Sequence, residues 1–86
     1  MTFVFDPAKS TANWAKHGMD FEQAQRLWDD DFLLEAAART TDEPRFVIVA
    51  KLDGKHWCAV WTPAGDAVRI ISVRRARKEE IAAYEG

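Results

Sequence analysis

The chain has a single cysteine, Cys58, so no intramolecular disulfide can staple it, and a reducing cytoplasm is the expected setting. It has no apolar stretch near the roughly 20 residues that span a bilayer. Its start, MTFVFDPAK, lacks the basic opening and the apolar run of a signal peptide. Neither membrane insertion nor secretion is expected. Internal repeats and low-complexity tracts are also missing, which excludes a solenoid or a linker-rich organisation. His56 and Cys58 fall on one face of a strand, but no third or fourth ligand lies nearby in sequence; neither metal nor cofactor is expected. Nor is there an excess of positive charge. Twelve Lys and Arg stand against fourteen Asp and Glu, a net charge of -2, which is not the balance of a protein that coats nucleic acid indiscriminately.

What is present is 86 residues with 48% apolar content, enough for one compact domain over residues 1–86 and no second core. The charge is unevenly spread. Residues 20–43 hold eight acids against Arg26 and Arg39, whereas residues 44–86 hold eight bases against five acids. Five of the twelve bases fall between Arg69 and Lys78, in RIISVRRARKEE.

The order of elements follows from local signals. Phe3 and Phe5 bracket a short strand. Asp6 is a good N-cap, Pro7 suits the first helical position, and Gly18 ends a helix over Pro7–His17 whose apolar face is Ala8, Ala12 and Ala15. Asp20 with Gln23 makes a capping box for a second helix, whose inner face is Phe21, Ala24, Leu27 and Trp28. Strands are then expected at 32–35, 45–52, 56–62 and 67–75, with turns at Asp53-Gly54 and at Pro63-Ala64-Gly65-Asp66. The last three strands form an antiparallel meander, and a helix over 76–84 closes the chain. The fold class is α+β: two N-terminal helices, a sheet meander and a C-terminal helix.

Strict alternation along 67–75 puts Arg69, Ile71, Val73 and Arg75 on one face, and Val68, Ile70, Ser72 and Arg74 on the other. Both faces are partly apolar, as in an internal strand, so the arginines leave the core at its ends. Arg77 and Lys78 open the last helix, where the dipole disfavours cations. Glu79 and Glu80 can neutralise them, which leaves two readings of the cluster: a solvated charge run, or a grip on a polyanion. In the first helix Lys9, Asn13, Lys16 and His17 line a polar stripe opposite the alanines. A neutral His17 beside cations is suited to accept a proton near neutral pH. Trp57 and Trp61 share a strand face; most tryptophans here read as packing, and Trp61 is the one best placed to stack a base. Asp29-Asp30-Asp31 is a solvated loop or a meeting point for a basic partner segment.

FDPAKSTANWAKHGMDFEQAQRLWDD, then Arg45 before a strand and RIISVRRARKEEIAAYE, together resemble the BrnT family of bacterial toxins over nearly the whole chain. That resemblance implies a RelE-like fold and a ribonuclease activity that inhibits translation. It also implies a BrnA-like antitoxin with a ribbon-helix-helix domain, and operator DNA reached only through the complex. The family elements fall on Lys16, His17 and Gly18, on Arg45, and on Arg69, Ser72, Arg74 and Arg75. Metal-free RNA cleavage needs a base for the ribose 2′-hydroxyl and cations for the crowded phosphate. Arg45, Arg69 and Arg74 are assigned to the phosphate, with His17 or Lys16 as the proton-transfer group. Lys9, Arg75, Arg77 and Lys78 then bind the RNA backbone. The alternatives are an antitoxin-binding module without cleavage and a non-catalytic RNA-binding domain.

Overall fold

A computed structural model describes residues 1–38 and 42–86. The elements are β1 (Thr2–Val4), α1 (Pro7–His17), α2 (Phe21–Ala24) running into a 3-10 helix (Gln25–Asp29), β2 (Leu34–Ala37), β3 (Phe46–Leu52), β4 (Lys55–Ala64), β5 (Ala67–Arg75) and α3 (Lys78–Glu85). The five strands make one sheet in the order β1-β5-β4-β3-β2. From β2 to β5 the pairing is antiparallel, but β1 joins β5 in parallel. The sheet is therefore mixed, where the sequence suggested only the antiparallel meander.

Local chemistry explains the boundaries. Asp6 accepts from the Ala8 N–H, Pro7 follows it, and Gly18 at φ 78° terminates α1 in the left-handed region. Asp20 and Gln23 form their reciprocal box. The β3–β4 turn is two residues, Asp53 and Gly54, both at positive φ, the pair that matches the twist of a tight hairpin. Between β4 and β5 only Gly65 and Asp66 turn, while Pro63 and Ala64 stay in the strand. Pro63 lies past the end of β3, where one side of β4 is unpaired and a proline is tolerated. The strand expected at 32–35 starts later, at Leu34. Asp30 explains this: its side chain takes the Phe32 N–H and its carbonyl the Leu33 N–H, holding that segment as a turn. The last helix likewise starts at Lys78, because Glu80 accepts the Arg77 N–H and sets the N-cap there.

Two findings alter how side chains are placed. First, β5 carries a bulge: Val60 pairs with Ser72 but Trp61 pairs with Ile70, leaving Ile71 as the extra residue. Alternation reverses across it. Arg69, Ser72 and Arg74, opposite Thr62, Val60 and Cys58, share one face, and Val68, Ile70, Val73 and Arg75 share the other. Strict parity had separated Arg69 from Arg74.

Second, α1 does not dock through its alanines. Ala8, Ala12 and Ala15 are exposed, and the buried residues are Ser10 and Asn13. β1 covers β5 only from Ala67 to Arg69, so the edge beyond it presents backbone groups that need partners. Asn13 supplies them. Its Nδ2 donates to Val73 O at 2.9 Å and to Met19 O at 2.7 Å, and its Oδ1 accepts from Val73 N at 3.2 Å. Ser10 Oγ accepts the Phe21 N–H. The supposed polar stripe is thus split, with Asn13 pointing inward and Lys9 and Lys16 outward. The apolar layer lies beside it, where Phe21, Ala24 and Leu27 cover Ile48, Ala50, Trp57, Ala59, Ile70 and Val73.

Candidate nucleic-acid interface

Because α1 runs along the free edge of β5, its cations come to lie beside those of the strand. At one end, Lys9 and Arg69 line the same open groove of about 340 Å³, with Phe5, Asp6 and Ile71 among its walls. Both cations are exposed. Arg69 pairs with Thr62 in register, and Thr62 Oγ1 donates to Pro44 O. Arg45, the residue before β3, follows directly on that contact, so Arg45, Thr62 and Arg69 lie in a row across three neighbouring segments at one end of the sheet. Arg45 is 3.6 Å from Glu43 with both side chains about half exposed, a pair worth little in water.

The other end is about 12 Å further along α1, eight residues at 1.5 Å each. Here Lys16 is exposed and His17 half-buried. His17 is four residues past Asn13, and Arg75 is two past Val73. About 6 Å of helix rise and about 6.6 Å of strand rise carry them to the same level. Arg75 lies over the Trp57 ring, 5.4 Å from its centroid, and its Nε donates to His56 O at 3.3 Å. A shallow cavity of about 230 Å³ opens beside Gly18, lined by Trp57, Lys55 and Arg26 among others.

Arg74 is engaged elsewhere. Its two terminal nitrogens grip Glu80 at 2.8 Å each, and Nη1 also donates to Arg75 O. The Arg74 guanidinium holds the Glu80 carboxyl down at about 2. Glu80 also accepts the Arg77 N–H, so one carboxylate both starts α3 and pins it to β5. From the sequence alone Glu80 has only a neutralising role. The signal that identifies it is a glutamate three residues into a helix. Arg77 and Lys78 are exposed at this helix start.

None of α3 is buried, and polar contacts also fix its far end. Tyr84 donates to Asp30 Oδ2 at 2.5 Å, and His56 Nε2 lies 2.5 Å from Glu85. Burial works to raise the Asp30 carboxyl, but hydrogen bonds from Tyr84, Lys51 and Phe32 bring it below its ordinary value. The same carboxylate pushes the Tyr84 hydroxyl up to about 12. Cys58 is almost fully buried, and burial raises its thiol to about 11; it is packing, not a nucleophile. Trp61 is also committed to packing. It stacks on Phe46 at 5.0 Å and meets Trp28 edge-on at 6.5 Å, so it does not present a free face for a base.

The expected site residues therefore do not converge on one point. Lys9 and Arg69 line one groove, with Arg45 in the row across the sheet; Lys16 and His17 end α1 at about the level of Arg75; Arg74 is bonded to Glu80. Lys9, Lys16, His17, Arg69 and Arg75 thus form a cationic seam along α1 and the open edge of β5, with Arg69 and Arg75 on opposite faces of the sheet.

A seam of this kind, on a mixed five-stranded sheet with three helices, suits a protein that handles a polyanion. The family comparison gives the class: the model described as "Ribonuclease toxin, BrnT, of type II toxin-antitoxin system" matches residues 5–80. The chain belongs to that family of ribonuclease toxins, and an antitoxin is its partner. No curated protein matches it significantly. Among the described residues no helix is long and apolar enough to cross a membrane.

The Arg74–Glu80 pair gives a pH prediction. A carboxyl held at about 2 contributes stability that is complete above its unfolded value, near 4.3, and is lost as pH falls from there towards 2. With both side chains partly exposed, the contribution is about 2 kcal/mol after allowance for solvent. Chemical unfolding followed from pH 7 to pH 2.5 is expected to show a shallower acid decline in Glu80→Gln than in the wild type. Identical acid limbs would remove the pair from the stability of the fold.

Proposed function

We propose that the chain is a metal-independent endoribonuclease of RelE-like type that inhibits translation, and that a BrnA-like ribbon-helix-helix antitoxin neutralises it in the cytoplasm. Operator DNA is reached only through the complex. The observation that carries this reading is the cationic seam on a chain that belongs to a ribonuclease-toxin family.

RNA lies along the seam between α1 and β5. Lys9 and Arg69 hold one phosphate in the groove, and Arg45 extends the positive row across the sheet. Arg77 and Lys78 contact the backbone beyond β5. The scissile phosphate lies at the far end. There His17, or Lys16 beside it, accepts the ribose 2′-hydroxyl proton, the oxygen attacks the adjacent phosphorus, and the 5′-oxygen leaves with a proton returned to it. Arg75 steadies the crowded phosphate with fixed donors. Arg74 acts mainly by holding α3, so that Arg75 and Arg77 keep their places. Because phosphate contacts release counterions, cleavage weakens steeply with added salt.

Growth on induction tests the biological part. Expression of the chain alone is expected to arrest growth, and co-expression of the antitoxin encoded beside it to restore it. Normal growth without the antitoxin, with the chain present and folded, would contradict the toxin reading.

A further inference from the structure

At the opposite side of the sheet from the seam, β2 is an edge strand with every residue exposed. Ala38 N donates to Arg45 O at 2.8 Å, continuing the ladder. Antiparallel alternation then turns Ala36 and Leu34 inward to β3 as well, which directs the N–H and C=O of Glu35 and Ala37 outward. Two donors and two acceptors stand in a row without a strand beside them among the described residues.

Natural edges of this kind are usually blunted by lysine, proline or a bulge. β2 has no lysine, proline or bulge, and only its four-residue length and the charge of Glu35 temper it. Its first residue, Leu34, is 41% exposed and Phe32 just before it 79%, an apolar pair that folding leaves uncovered. The surroundings are acidic: Asp29, Asp31, Glu35 and Asp42 are exposed, while Glu43 already lies 3.6 Å from Arg45. A second copy of the chain is a poor occupant, since two-fold pairing of this edge would bring the same acids face to face. A basic extended segment meets every requirement. It supplies the missing backbone partners, covers Phe32 and Leu34 with alternate side chains, and neutralises the acids.

We infer that β2 is the docking edge for a basic, extended segment of the antitoxin, which adds a sixth strand to the sheet. The inference rests on the toxin reading for the existence of that partner, and it adds where and how the partner binds. Docking at β2 leaves the seam on β5 three strands away, so the edge is an anchor and does not itself cover the groove.

The test is a titration of the full-length chain with its purified cognate antitoxin, comparing wild type, Ala37→Pro and Glu35→Lys, with amide hydrogen exchange in the complex. Ala37→Pro removes an outward N–H on an edge strand, and Glu35→Lys reverses the central charge. Each is expected to weaken antitoxin binding at least tenfold while RNA cleavage by the free chain is unchanged. The Glu35 and Ala37 amides are expected to gain protection in the complex. If Ala37→Pro fails to fold, Glu35→Lys and the exchange data carry the test. Wild-type affinity in both folded variants, protection confined to α3 or the seam, or a dimer of the free chain through β2 would each overturn the inference. Those outcomes leave the toxin reading standing, whereas a wild-type chain that binds no antitoxin overturns both.

Discussion

Asn13→Ala is expected to destabilise the fold by about 4 kcal/mol. The substitution strips the Val73 N–H, the Val73 carbonyl and the Met19 carbonyl of their common partner. Each buried group left unsatisfied costs about 1–3 kcal/mol. Set against the roughly 5–15 kcal/mol that holds a small domain together, this is a large fraction. A thermal midpoint about 20 °C lower than wild type is the expected reading, given about 4–8 °C per kcal/mol at this size. Ala12→Ser is the contrasting variant. If the alanines formed the packed face of α1, a hydroxyl there would be costly. Exposed as Ala12 is, the change stays within about 0.5 kcal/mol. A small effect at Asn13 with a large one at Ala12 would reverse the account of how α1 docks.

His17→Ala is expected to lower kcat for RNA cleavage by about a hundredfold to ten-thousandfold, the usual worth of a positioned proton-transfer group. KM and the unfolding midpoint are expected to change little, because His17 is half-buried in the last turn of α1 and lies outside the packed layer. Arg69→Ala is the complementary variant. Its guanidinium belongs to the groove with Lys9, about 12 Å of helix rise from His17, so its loss raises KM and flattens the salt dependence while leaving most of kcat. Parallel single-turnover and steady-state measurements separate the two. If Arg69→Ala abolished kcat and His17→Ala changed only KM, the scissile phosphate would lie in the groove.

Much of this architecture was legible in the sequence because it is written in local chemistry. The α1 and β5 boundaries, the Asp20–Gln23 box and the Asp53-Gly54 turn each depend on a few adjacent residues whose backbone preferences are strong. The placement of the arginines was less legible. A bulge at Ile71 leaves no mark in an apolar run, yet it moves Arg74 onto the face of Arg69 and puts Arg75 over Trp57. The parallel pairing of β1 with β5 depends on residues more than sixty positions apart. That pairing in turn creates the open edge that makes Asn13 a core residue.

Charge showed the same limit. Five bases near the C-terminus were visible as a cluster, but not that Arg74 would be bound by Glu80 while Arg69 joined Lys9 from another element. Glu80 was readable as an N3 capping residue once the helix start was placed at Lys78 rather than at Ala76. Trp61 shows how an alternating strand can mislead. It shares the face of Trp57 as alternation requires, but its neighbours Phe46 and Trp28 come from other elements and close around it.

The most direct measurement is cleavage of RNA by the purified chain in excess EDTA, with the chemistry of the product ends determined. Attack by the 2′-hydroxyl without a metal predicts undiminished cleavage, with 2′,3′-cyclic phosphate on one fragment, a free 5′-hydroxyl on the other, and both products formed at least about a hundredfold more slowly by His17→Ala. Cleavage abolished by EDTA and restored by a divalent cation, or fragments ending in 5′-phosphate, would contradict it.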